Sequence, residues 1–131
     1  MFFTPLTDIG LLVLRLTLGI IFILHGFPKI KSPKSIGEKV FNGNTILGFA
    51  LAFTEFFGGL AILFGLLTQL ASFGIAIVMI GAMYYKITKW KSPFFAITQA
   101  GWEYDLVLFG IAITLILMGA GSLSLDSLLG F

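Results

Sequence analysis

The sequence of 131 residues has a composition unlike that of a water-soluble domain. Only 11% of its residues are charged and 58% are hydrophobic, including 15 phenylalanines, whereas about 25% of the residues in an average soluble domain are charged. A soluble fold of this size would have to expose much of its apolar surface, so a soluble globular domain is excluded. Zero cysteines and one histidine exclude iron–sulfur clusters, thiolate zinc sites and bis-histidine haem from the chain itself.

Four segments are long and apolar enough to cross a bilayer, because a spanning helix needs about 20 mostly apolar residues. We place the boundary between the second and third segments at Thr68-Gln69, since the uncharged run over residues 56–85 is too long for one ordinary span. The predicted helices cover about residues 9–27, 45–67, 69–87 and 104–120. The predicted fold is all-α, a single integral membrane domain over residues 1–131 that forms a four-helix bundle.

The first apolar segment is interpreted as a membrane helix and not as a cleaved signal peptide. It lacks a basic n-region, carries Arg15 in its middle and is followed by no small-residue cleavage site. We therefore count it among the spans.

The lysines predict the orientation of the helices, because Lys and Arg are retained on the cytoplasmic side of short loops. Every lysine lies in or beside the loops after the first and third helices: Lys29, Lys31, Lys34, Lys39, Lys86, Lys89 and Lys91. We therefore expect a multi-pass protein of the cell membrane, in bacteria the inner membrane, with both termini extracytoplasmic. The same bias explains the net charge of +2, so we assign the lysines to topology and lipid contact and expect no nucleic-acid binding.

Two charged residues lie deep in the predicted helices. A charge inside the hydrocarbon costs at least about 2.5–3.5 kcal/mol, so each one needs a partner or a cavity. Counted from the cytoplasmic helix ends near Phe27 and Thr45, Arg15 lies about 18 Å deep and Glu55 about 15 Å deep. We therefore predict a buried Arg15–Glu55 ion pair, which could form part of a ligand site or only fix the helix register.

A second polar layer is predicted near the cytoplasmic boundary, where His25 lies about 3 Å inside the membrane and the fourth helix begins with Glu103 and Tyr104. His25 could donate and accept protons near neutral pH, or it could simply form a hydrogen bond with a neighbour. Glu103 could do no more than interact favourably with the helix dipole. No metal site is expected, because no second histidine exists. A helical wheel places four residues on one face of the first helix: Arg15, Phe22, His25 and Lys29.

Small residues in the third helix predict tight packing around this polar centre. Gly74, Gly81 and Ala82 lie there beside Met79 and Met83, and small residues allow helices to approach closely in membranes. The two methionines are assigned to the core.

The run Arg15-Leu16-Thr17-Leu18-Gly19, followed by Phe22, His25-Gly26 and Lys29, resembles the opening signature of the DoxX family of small four-helix membrane proteins. Three later blocks agree with that family in order: Glu55 with Gly58-Gly59 and residues 65–68, Glu103-Tyr104 with Leu106, and Gly119–Gly121 with Ser124-Leu125-Asp126. The chain departs from the pattern at Gln69, where many relatives have a basic residue. The resemblance implies kinship with the small subunit of thiosulfate:quinone oxidoreductase and with subunits of redox-protective membrane complexes.

This resemblance implies a membrane oxidoreductase component that interacts with quinone. In this hypothesis the catalytic residues are His25, Arg15 and Glu55, with His25 as the proton donor and the other two as the polar centre. The expected ligand-binding residues are Arg15, Phe22, His25, Lys29, Glu55, Glu103 and Tyr104. Because no residue here can hold an electron, a partner subunit with a flavin or another cofactor would supply it.

Two other functions fit the same sequence features. The chain could be a non-catalytic binding or assembly protein that holds a lipid or a small apolar ligand, or that docks a soluble enzyme at its basic loops. It could also be a small exporter. In that case we expect a homo-oligomer, because four helices alone leave little room for a transport pathway. The sequence leaves the substrate, the partner, the oligomeric state and catalysis itself open.

Overall fold

The computed structural model describes residues 4–98 and 101–131, and every regular element in these ranges is helical. A π-helical turn over Tyr85–Lys89 follows the fourth helix directly. The α-helices of these ranges are α1 (Thr4–Lys31), α2 (Pro33–Val40), α3 (Thr45–Phe64), α4 (Thr68–Tyr84), α5 (Trp102–Met118) and α6 (Leu125–Leu129). The all-α prediction is therefore confirmed for the described chain.

Three of the described helices are long and apolar enough to cross a membrane. They are α1 from Pro5, α3, and α4 together with its π-helical turn. The predicted fourth span corresponds to α5, which has 17 residues and is about 26 Å long, against about 30 Å for the hydrocarbon core. It ends at Met118, before the predicted residue 120, because Gly119 adopts a φ of +77° that a continuing helix does not allow.

The segment between the first two predicted helices, residues 28–44, is largely helical. α1 continues through Pro28 to Lys31, and α2 starts two residues later, with Pro33 at its first position. Pro28 is tolerated because it lies near the end of α1, and a proline at the first position of a helix needs no N–H donor. α2 packs against the beginning of α3, where Gly37 and Gly48 are both buried.

The four longest helices, α1, α3, α4 and α5, pack as a closed ring. α1 packs mainly on α3 and α4 mainly on α5, while smaller contacts join α3 to α4 and α1 to α5. The core between them is apolar, and its largest fully buried members include Phe22, Leu18, Ile62, Ile75 and Leu115. Large apolar side chains such as Phe53, Phe73 and Leu117 are exposed on the outer faces, as expected for helices that contact lipid.

Glycines set the spacing between α1 and α3, which run in opposite directions. A Cβ atom added to Gly59 would lie 2.9 Å from the backbone nitrogen of Ile23 and 3.0 Å from the carbonyl oxygen of Gly19. These atoms belong to the backbone and cannot rotate away. The pairing of residue 59 with residues 19–23 therefore fixes the register of the two helices.

Replacing Gly59 with alanine should lower the free energy of unfolding by about 1–3 kcal/mol, because the new methyl group forces α1 away from α3. Gly58→Ala is the matched control, since its Cβ atom would be nearest to the Ile75 side chain, at an ordinary contact distance of 3.4 Å, and both changes gain the same helix propensity. Chemical unfolding in micelles, followed by circular dichroism, measures both variants. Equal stability of the two variants would contradict this packing.

Candidate functional site

Arg15 is buried, with 2% of its surface exposed, and all its described hydrogen bonds go to backbone carbonyls. Its Nε donates to Ile62 at 3.1 Å and its Nη2 to Leu63 at 3.0 Å, in the last turn of α3. Its Nη1 donates to Ala120 at 3.2 Å and to Leu123 at 2.7 Å, in the segment after α5. Carbonyls at a helix C-terminus lack intrahelical donors and carry the negative end of the dipole, so one guanidinium satisfies several of them.

The turn after α3 is shaped around this guanidinium. Gly65 has a φ of +70°, and a Cβ atom there would lie 2.7 Å from Nη2 of Arg15. Asp126 closes the turn from the other side: its carboxylate accepts from the backbone nitrogens of Leu67 at 2.6 Å and Thr68 at 2.9 Å. Arg15 therefore belongs to a structural clasp, which we define as Arg15, the α3–α4 turn and residues 120–126.

The predicted Arg15–Glu55 ion pair is wrong, because Glu55 pairs with Lys29 instead. Arg15 contacts residues 62 and 63, which lie about two helical turns, or 10–12 Å, along α3 from Glu55. The depth estimate assumed that the first helix ends near Phe27, level with the start of α3. Since α1 continues to Lys31 and α2 packs beside the start of α3, the two helices are displaced by more than one turn.

Lys29 and Glu55 form a largely buried ion pair. Nζ of Lys29, in the last turn of α1, lies 2.7 Å from Oε2 of Glu55, in the middle of α3. The Glu55 side chain is 5% exposed and that of Lys29 is 26% exposed. Such a pair is costly to bury, but the cost of either charge alone would be larger. Sequence reasoning named both residues as ligand-binding candidates and assigned Glu55 the wrong partner.

A cavity of about 460 Å³ lies between α3 and α4, and Lys29 and Glu55 are its charged lining residues. Thr54 and Tyr85 add hydroxyl groups to the lining. The apolar part of the lining includes Phe41, Leu47, Leu51, Ile77, Val78 and Trp90. A mostly apolar cavity with a few polar groups is typical of small-molecule sites, whose volumes are roughly 300–1,000 Å³.

The small residues of α4, Gly74, Gly81 and Ala82, all line the cavity. Gly74 lies close to α3 as predicted, since a Cβ atom added to it would lie 3.2 Å from Cγ2 of Thr54. Gly81 does not close the interface, because a Cβ atom added there would meet no other heavy atom within 4 Å. Beside them, the hydroxyl of Tyr85 donates to the carbonyl of Val40 at 2.6 Å. This bond joins the π-helical turn to the end of α2, and both elements border the cavity.

His25 lies outside this cavity. Its ring is exposed, and Nδ1 donates to the carbonyl oxygen of Ile21 at 2.8 Å, because a carbonyl can only accept. The ring centre lies 6.4 Å from that of Phe22 and 6.1 Å from that of Tyr104. The structure therefore brings these three predicted ligand residues together between α1 and α5. Glu103 lies in the first turn of α5 and does not line the cavity either.

Sequence reasoning missed a second buried ion pair. Nζ of Lys86 lies 2.9 Å from Oδ2 of Asp105, whose side chain is 6% exposed. The pair links the π-helical turn to α5. A signal for this pair exists in the sequence, since Lys86 and Asp105 carry opposite charges and both lie at the predicted cytoplasmic helix ends.

The described residues contain no group of three or more His, Asp or Glu side chains close enough to hold a metal ion.

Three membrane-length apolar helices with charged side chains buried between them define a helical membrane protein. The DoxX family model matches residues 10–88, and the chain belongs to the DoxX family, as the signature between Arg15 and Lys29 indicates. Over 123 residues, the chain is 33% identical to the protein named "Putative oxidoreductase CatD" from Bacillus subtilis (strain 168). The aligned region covers 91% of this chain and 86% of that protein. No solved structure matches the chain.

Proposed function

We propose that this DoxX-family membrane protein is a quinone-binding subunit of a membrane oxidoreductase complex. The observation that supports this function best is the apolar cavity between α3 and α4 with the Lys29–Glu55 ion pair in its lining. The name of the Bacillus subtilis relative, "Putative oxidoreductase CatD", supports the same class of activity.

The proposed topology is a four-helix bundle in the cell membrane with both termini extracytoplasmic. α1, α3 and α4 supply three spans, and α5 serves as the fourth because it packs along α4 and also contacts α1. The lysines support this orientation: they lie between residues 29 and 39 and between residues 86 and 91, after the first and third spans. The cavity then opens in the cytoplasmic half of the bundle.

The lining of the cavity suits a quinone. A flat, apolar ring fits between aliphatic and aromatic walls, and a carbonyl oxygen needs a hydrogen-bond donor, which the Lys29 ammonium supplies. When bound, a quinone takes up two electrons and two protons on reduction. Glu55 orients the Lys29 ammonium group by pairing with it at 2.7 Å, and most of the surrounding cavity lining is apolar.

The roles of the other predicted catalytic residues change in this proposal. Lys29 replaces His25 as the hydrogen-bond donor to the quinone oxygen, because His25 lines a separate groove that shares Lys29. Arg15 holds the clasp at the other end of α1 and has no place in the ligand site. Electrons come from a cofactor-bearing partner subunit, since this chain has no side chain that carries them.

Filling the cavity should weaken quinone binding. In a Trp102→Phe background, Trp90 in the cavity lining is the only tryptophan, and a short-chain benzoquinone or naphthoquinone should quench its fluorescence saturably. Gly81→Leu should raise the dissociation constant by about tenfold or more, equivalent to about 1.4 kcal/mol, because the leucine side chain enters the cavity. Fluorescence titration of the purified protein in micelles measures this change.

Gly110→Leu is the matched control, since Gly110 is also an exposed helical glycine with no heavy atom within 4 Å of an added Cβ but lies on α5, outside the cavity. It should leave quenching unchanged. Linear, non-saturable quenching that is equal in both variants would contradict the quinone site. Co-purification of a lipid in the cavity that quinone does not displace would favour the non-catalytic binding function instead.

A further inference from the structure

A second concave surface lies between the end of α1 and the side of α2. This groove has a volume of about 470 Å³ and is distinct from the α3–α4 cavity, with which it shares Lys29. Part of its wall is apolar and consists of Leu24, Pro28 and Ile36. The Leu24 side chain is 68% exposed, so this part of the groove faces the surroundings of the helix and not the core.

The rest of the groove is polar and basic. Its lining includes Ser32, Ser35 and Lys39 together with His25. The segment from residue 29 to residue 39 has four lysines and one glutamate, Glu38, which does not line the groove. Lys29 is neutralised by Glu55, whereas Lys39 forms no ion pair with any residue in the described ranges. Lys39 therefore leaves the groove with an uncompensated positive charge.

The two serines have hydrogen-bonding capacity to spare. The Ser32 side chain makes no cap hydrogen bond at the start of α2. Within residues 4–98 and 101–131, no group of the protein forms a hydrogen bond with the hydroxyl of Ser32 or with that of Ser35. A hydroxyl pair beside an ammonium group is a suitable donor set for a phosphate oxygen.

From this arrangement we propose that the groove binds one anionic phospholipid. Its phosphate contacts Lys39, Ser32 and Ser35, and the upper part of an acyl chain lies along Leu24 and Ile36. The groove has a cationic part and an apolar part side by side, as an amphipathic anion requires, and it lies among lysines, where the head groups of the cytoplasmic leaflet are expected. This site is independent of quinone binding.

Native mass spectrometry of the purified full chain tests the proposal. The protein is released from micelles that contain equal amounts of phosphatidylglycerol and phosphatidylcholine with identical acyl chains. We expect a one-to-one adduct with phosphatidylglycerol in clear excess over phosphatidylcholine. Lys39→Gln should lower the retention of phosphatidylglycerol about fivefold, the effect of one lysine near an anionic lipid. Ser35→Ala should lower it less, and Lys39→Arg should restore it.

Lys89→Gln is the control, because it removes one exposed lysine from the π-helical turn, outside the groove. If Lys39→Gln and Lys89→Gln lowered the retention of phosphatidylglycerol equally, general surface charge would explain the effect. That result would overturn the proposed site. Equal retention of the two lipids would also overturn it. A third arm adds inorganic phosphate: displacement of the lipid by phosphate at equal concentration would assign the groove to a soluble anion and overturn the lipid assignment.

Discussion

Arg15→Leu is expected to destabilise the protein by about 3–5 kcal/mol, as the loss of one partner from a buried charged network usually does. The leucine removes the guanidinium donor from the carbonyls of Leu63, Ala120 and Leu123, whereas the carbonyl of Ile62 keeps the N–H of Gly65. Each unsatisfied buried carbonyl costs about 1–3 kcal/mol before relaxation. Arg15→Lys should recover little, because an ammonium group cannot span acceptors on two separate segments as the guanidinium fork does.

Unfolding by sodium dodecyl sulfate in mixed micelles, followed by circular dichroism, measures this loss. Thr17→Val is the control: Thr17 is an exposed residue of the same helix, and its hydroxyl donates only to the carbonyl of Val13 one turn earlier. If Arg15→Leu were as stable as Thr17→Val, the clasp would not hold α1 to the ends of α3 and α5.

The same measurement separates the clasp from the ion pair that the sequence suggested. Arg15 and Glu55 have different partners in the structure, so the effects of Arg15→Leu and Glu55→Leu should add within about 0.5 kcal/mol. A direct pair would give a double variant much more stable than the sum of its single variants predicts. That outcome would contradict the register of α1 and α3 described above.

Lys29 and Glu55 should show the opposite behaviour. Lys29→Met leaves the Glu55 carboxylate buried without its cation, and we expect a loss of about 3–5 kcal/mol. Glu55→Met leaves the Lys29 ammonium group unpaired. The lysine side chain is long enough to reach the aqueous boundary, so the loss of stability should be smaller. The double variant replaces the pair by two apolar side chains and should recover most of the stability, with a coupling energy of about 1–3 kcal/mol.

The double-mutant cycle uses the same unfolding assay, with Lys89→Met as a control for the loss of an exposed lysine. Additive effects of Lys29→Met and Glu55→Met would contradict the ion pair. The double variant also tests the proposed function, because it should stay folded and lose the saturable quenching of Trp90. A folded double variant that still binds quinone with unchanged affinity would confine the pair to a structural role.

Composition and hydropathy predicted the helical class, because apolar runs of about 20 residues leave little other choice in a membrane. They did not predict the register of α1 against α3. Hydropathy locates the middle of a span, whereas the register depends on where α1 ends and on the backbone contact between Gly19 and Gly59. Pro33, at the first position of α2, is a helix start signal, but the predicted helices left residues 28–44 outside any helix.

The α3–α4 cavity could not be read from the sequence either. Gly74 and Gly81 have the spacing of residues that permit close helix packing, and only the structure shows that Gly81 borders open space. The π-helical turn, which brings Tyr85 to Val40, also has no simple sequence signal. Lys29 and Glu55, in contrast, could be named in advance, because charges within or beside apolar spans are rare and need partners.

The clasp has a consequence for the order of events during biosynthesis. Arg15 is synthesised well before two of its acceptors, which lie 105 and 108 residues further along the chain. Until those residues are made and pack against α1, the guanidinium has only the acceptors of α3. The growing chain therefore holds a charge that is incompletely satisfied, and its burial is completed only when the segment after α5 takes its place.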